Sequence, residues 1–175
     1  MFGAGRQDRG ECDLAADVTF ISLAFAVTRR DVIERVGLLA DEYFFGQEEW
    51  DYSLHVRKSR YRLRYEPSIG CIYGGDGSHN NSAPEFVYNG YRNKLMFQQR
   101  YLPRWAFPVW RMAFVLYART ILPPTCVGIC GHKLSLSLLR FCAQEALRDH
   151  TPGRRIEESD LLDFRQRVKS SECRR

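Results

Sequence analysis

Between Trp105 and Leu122 the chain is strongly apolar over nearly the ~20 residues that a membrane-spanning helix needs, and this run limits what the chain can become. Arg111 and Arg119 lie inside it. Each central arginine costs about 2.5 to 3.5 kcal/mol on an insertion scale, so two of them disfavour a true span. Together with Arg104 they form a basic stripe along an otherwise apolar helix, which suits a helix lying in a membrane interface. An ordinary buried helix with three surface arginines fits the same pattern. Sequence alone leaves both readings open.

The rest of the composition narrows the partners. The 175 residues, 45% hydrophobic and 13% aromatic, suffice for one sizeable core and exclude a disordered chain. Residues 1–100 carry 13 Lys/Arg and 14 Asp/Glu, and residues 101–175 carry 13 and 7, so the net charge of +5 belongs to the last part. That basic part has no aromatic-interleaved patch and no nucleic-acid motif, so a membrane surface is expected there and no nucleic acid. The six cysteines, at 12, 71, 126, 130, 142 and 173, lack the spacing of a disulfide framework, and the chain start does not read as a secretory signal. A reducing, cytoplasmic setting is expected. Cys126, Cys130 and His132 form a C-x3-C-x-H cluster with no second Cys/His pair for zinc, and Asn80-Asn81-Ser82 is a sequon that carries no meaning without secretion.

Local patterns suggest an order of elements. Residues 1–17 read as a loop or loose terminus. Val18 to Val27, apolar on both faces, predicts a strand in the middle of a covered sheet. Thr28 with Asp31 resembles a capping box for a short helix through Val32, Ile33 and Val36, which Gly37 stops. The aromatic cluster Tyr43, Phe44 and Phe45 is expected to pack. A second helix has Glu48, Glu49 and Asp51 at its start and Arg57, Lys58 and Arg60 near its end. Tyr61 to Glu66 alternates with period two, a half-buried strand with Arg62 and Arg64 outward, before Pro67. Ile69 to Tyr73 continues extended chain, and residues 74–79 form a Gly-rich loop. Pro84 to Tyr101 predicts a long amphipathic helix, Leu134 to Leu147 another, and Asp160 to Val168 a last short one in a charged tail.

Taken in order, the strand, Thr28-Arg29-Arg30-Asp31-Val32-Ile33-Glu34-Arg35-Val36-Gly37-Leu38, Asp41-Glu42-Tyr43-Phe44, Glu48-Glu49-Trp50-Asp51-Tyr52-Ser53-Leu54 and Tyr61 to Pro67 resemble the C-terminal half of family 2 glycosyltransferases, especially the bacterial rhamnosyltransferase-like branch. Tyr88 with Tyr91-Arg92-Asn93-Lys94-Leu95-Met96-Phe97 is similar to a helix of the same group. The resemblance covers residues 15–102 well and the tail loosely. It implies a partial α/β fold: the acceptor-side portion of a glycosyltransferase A-type fold at residues 18–102, amphipathic membrane-proximal helices at 103–150 and a charged tail at 151–175.

The family performs an inverting transfer from a nucleotide-sugar donor to a hydroxyl acceptor, with Mg2+ or Mn2+ on the donor diphosphate. A carboxylate removes the acceptor proton. By resemblance Glu49 takes that place, flanked by Glu48 and Asp51, and its extra methylene over the usual aspartate moves the carboxylate by about 1 Å. Trp50, Ser78, Arg92 and Asn93 are expected on the acceptor and diphosphate side. A histidine that helps hold the metal in relatives is replaced by glycine, which leaves His79 as the substitute. Without family context, the same acids would read as helix caps. No β-α-β start and no Asp-x-Asp motif precede Val18, so the nucleotide-binding half is expected to come from elsewhere, with little activity alone. The expected setting is cell-surface polysaccharide or glycolipid synthesis at the inner face of the plasma membrane. A noncatalytic membrane-surface interaction protein is the alternative.

Overall fold

A computed structural model describes residues 10, 12–44, 46–70, 84–120 and 135–173. The chain divides into two units, Met1–Ala40 with Glu48–Gly77, and Asp41–Gln47 with Ser78–Arg175. The described residues are mostly helical, with one small antiparallel sheet.

The first unit holds β1 (Ala16–Val18), α1 (Arg30–Val36), α2 (Glu48–Lys58) and β2 (Leu63–Tyr65). The two strands pair Ala16 with Tyr65, Asp17 with Arg64 and Val18 with Leu63. Val32, Tyr52, Val56 and Leu63 form its buried core, with Val18, Ile21, Leu23, Val36 and Tyr61 packed around them. Arg62 and Arg64 stay exposed, as their outward register requires.

The central strand expected over Val18 to Val27 does not form. β1 stops at Val18, and Val27 is 86% exposed, so the run is not covered on both faces. The backbone donors explain the difference. Ile21 N–H is directed to Ser53 Oγ (3.4 Å) and Leu23 N–H to Glu49 Oε1 (2.6 Å), so side chains of α2 take the hydrogen bonds that a neighbouring strand would have received.

The expected capping box is likewise absent. Arg29, not Thr28, is the N-cap of α1 and makes no side-chain cap bond. Its guanidinium instead grips Asp31 (2.9 and 2.8 Å), which holds that carboxyl below the usual carboxylate range. The stop is as expected: Gly37 has φ +90° and returns its N–H to Ile33 O (2.8 Å).

The second unit holds α3 (Pro84–Tyr101), α4 (Ala106–Thr120), α5 (Leu136–Asp149) and α6 (Glu158–Cys173), together with residues 41–47. Serine starts α5, since Ser135 Oγ accepts from Leu138 N–H (3.3 Å). Small residues Ala118, Ala143 and Ala146 are fully or almost fully buried, which lets helices approach closely, and Tyr88 stacks on Phe164 at 4.4 Å. Leu95, Leu139 and Phe164 are completely buried, each contributing roughly 1.5 to 3 kcal/mol of transfer free energy. The last helix is longer than the expected Asp160–Val168, and its Leu161, Phe164 and Val168 sit in the core. The aromatic cluster divides: Tyr43 is buried and Phe44 exposed, while Phe45 lies outside the described residues. No helix among the described residues is long and apolar enough to cross a membrane.

Candidate active site

The acids at the start of α2 complement its positive end, and the chain leaving β1 runs past that end. Residues 20–23 therefore meet the first turn of α2. Leu23 N–H and Ser22 Oγ both donate to Glu49 Oε1, at 2.6 and 3.0 Å. Both bonds fall on one oxygen. Glu49 Oε2 has no hydrogen-bond partner among the described residues, and the residue is only half-buried. One carboxylate oxygen is thus fixed, and no hydrogen bond among the described residues holds the other.

Beside it, Trp50 stacks on Phe20 with ring centroids 4.0 Å apart and planes 20° from parallel. Trp50 remains 41% exposed, so a braced aromatic surface lies on the same helical turn as Glu49. Asp51 behaves differently. It is 1% exposed and turns to the buried side of α2, with His55 Nδ1 at 3.8 Å from its Oδ2. Glu48 is half-buried on the same turn. The three acids therefore share a helical turn but do not converge.

That divergence bears on the metal implied by the resemblance. Among the described residues, no three His, Cys, Asp or Glu side chains are placed to hold an ion. Glu49 Oε1 is taken by Ser22 and Leu23 and Asp51 is buried, so among the described residues these acids do not gather around one point. Ser78 and His79, with the Cys126, Cys130 and His132 cluster and the sequon at Asn80, lie outside the described residues.

Arg92 and Asn93 belong to the second unit and are 1% and 0% exposed. Arg92 Nη1 donates to Glu42 O (3.1 Å) and Asn93 Oδ1 (3.2 Å), and its Nη2 donates to Arg154 O. Asn93 Nδ2 donates to Gly46 O (2.9 Å). Burial lowers the pKa of this guanidinium from its ordinary value. Close by, Tyr88 Oη donates to Asp149 Oδ2 (3.0 Å), and burial, with the Asp149 charge, raises the phenol's pKa. Arg92 and Asn93 thus tie loop carbonyls to α3, and Tyr88 ties α3 to α5.

Two participants at the α2 turn, Phe20 and Ser22, escape a reading based on periodicity. Their signal was a serine interrupting the apolar run between Ile21 and Leu23, out of place in a strand covered on both faces. Compared with known proteins, the chain matches no family model, no curated protein and no solved structure.

Proposed function

We propose that the chain is the acceptor-side portion of an inverting glycosyltransferase, acting on a nucleotide-sugar donor and a hydroxyl acceptor in cell-surface polysaccharide or glycolipid synthesis. The observation that supports this reading is the first turn of α2: Glu49 Oε1 is anchored by Leu23 N–H and Ser22 Oγ, Oε2 has no hydrogen bond among the described residues, and Trp50, the next residue, is stacked on Phe20. A sugar ring lays its C–H face on an aromatic surface, and a hydroxyl at the ring edge then reaches a neighbouring carboxylate.

The chemistry follows in one displacement. The acceptor oxygen attacks the anomeric carbon, its proton passes to Glu49 Oε2, and the bond from that carbon to the nucleoside diphosphate breaks with its electron pair. The diphosphate is held by a nucleotide-binding portion, in cis or in trans. Anchoring one oxygen holds the base in place, which preserves the alignment that such a displacement requires.

Glu49→Gln tests the reading because glutamine keeps the acceptor for Leu23 N–H and loses the basicity. With a nucleotide-binding portion present, and with Mn2+ and a panel of UDP-, GDP- and dTDP-sugars, release of nucleoside diphosphate is expected to fall about 10²- to 10⁴-fold, with unchanged circular dichroism. Turnover within tenfold of the parent chain would remove Glu49 from the chemistry and the proposal with it.

A further inference from the structure

The outer face of α4 carries an inference that goes beyond sugar transfer and stands independently of Glu49. One face of this helix is in the core, through Phe114 and Ala118 with Trp110 alongside. The other is apolar and open. Trp105, one residue before the helix, is 78% exposed, and Val109, Met112 and Leu116 are 60%, 71% and 65% exposed. The spacing i, i+4, i+7, i+11 sets them in one row, about 16 Å long at 1.5 Å per residue. The exposed Arg104, Arg111 and Arg119 lie to one side of this row.

Along the sequence the charge is one-sided well beyond these three residues. From Phe86 to Gln144 the sequence has no Asp or Glu in 59 residues, against eight Lys or Arg. We propose that this face of α4 docks on an anionic phospholipid bilayer, with Trp105, Val109, Met112 and Leu116 inserted at the headgroup boundary and the arginines on lipid phosphates. Charge selects the bilayer, because an apolar row edged by arginines complements a surface of lipid phosphates. Charge opposes a second copy, because pairing two such faces brings Arg104, Arg111 and Arg119 of both copies together, and α4 itself carries no acid. The described helix also falls short of a span: its fifteen residues reach about 22 Å against a hydrocarbon core of about 30 Å. Trp105 at the row's start and long arginine side chains at its edge are the residue types that settle at an apolar–polar boundary.

Flotation of the full chain with phosphatidylcholine vesicles, with and without phosphatidylglycerol, tests the proposal. The chain is expected to float with the anionic vesicles, release at high salt, and show a blue-shifted tryptophan emission. Replacing Arg104, Arg111 and Arg119 by Gln is expected to weaken binding about a hundredfold, near fivefold per arginine. Met112→Asp with Leu116→Asp is expected to abolish it while leaving helical circular dichroism intact, since both side chains face solvent. Trp105→Ser, outside the helix, gives an independent reading should that pair disturb α4. The proposal is overturned by absence of flotation, by equal binding to neutral vesicles, by undiminished binding of the Asp and Ser variants, or by a dimer in sedimentation that the Asp variant dissolves.

Discussion

Replacing Arg92 by Met separates a structural role from a ligand-binding one. Methionine retains much of the buried volume but has no donor, so Glu42 O and Arg154 O lose their guanidinium partner. An unsatisfied buried acceptor costs about 1 to 3 kcal/mol, and some of the loss is offset because a buried charge no longer needs desolvation. A net destabilisation of about 3 kcal/mol is expected for the second unit. With a urea slope of about 1.5 kcal/mol per M for a unit of this size, the unfolding midpoint drops by about 2 M. Circular dichroism against urea measures it, with the exposed Lys94→Met on the same helix as the control. A drop below about 0.5 M, equal to that of the control, would refute the reasoning and show that the guanidinium is available for a ligand.

Two further measurements probe buried titratable groups of the second unit. Burial holds the His150 pKa below its ordinary value, and the Arg111 charge adds to this, against the Leu147 carbonyl that pulls it up. The unfolded chain therefore takes up the proton first, so stability is full above about pH 6.5 and declines as pH falls toward the folded-state pKa. The urea midpoint is expected to fall more between about pH 7.5 and pH 5 in the parent chain than in His150→Gln, and equal slopes would discard the assignment. Burial pushes the Cys142 thiol up to about 12, with its Sγ 3.5 Å from Pro84 O. Iodoacetamide at about pH 8 is expected to label the half-buried Cys12 in the native chain and Cys142 only in urea, and native labelling of Cys142 would mean that α3 and α5 separate readily.

The helices were legible because their signals are local. Pro84 opens α3, Gly37 ends α1, and the acids and bases of α2 sit at the ends that the dipole favours. The alternation from Tyr61 likewise placed β2. What failed was long-range. Apolar content between Val18 and Val27 gives no hint that α2 side chains would take the backbone donors of Ile21 and Leu23, because that depends on residues some thirty positions away. For the same reason a helix pattern could not show that Arg92 and Asn93, polar residues in the motif that prompted the family resemblance, would be wholly buried on loop carbonyls. At the candidate site, Glu49 and Trp50 could be picked out from their motif, whereas the Ser22 anchor and the Phe20 brace required the chain to fold back on itself.

Asp41–Gln47 belongs to the second unit although the chain on either side belongs to the first. Its carbonyls at Glu42 and Gly46 serve Arg92 and Asn93, its Glu42 carboxylate pairs with Arg100, and Tyr43 lies 5.8 Å from that guanidinium. The two units are therefore not two consecutive pieces of gene. A fragment beginning at Ser78 would carry the four helices described for the second unit and yet lack the strap that closes its polar interior. Cutting the protein into separately expressed halves at that junction severs an internal hydrogen-bond network, and restoring it requires the seven-residue strap to be added back as a peptide or grafted onto the fragment.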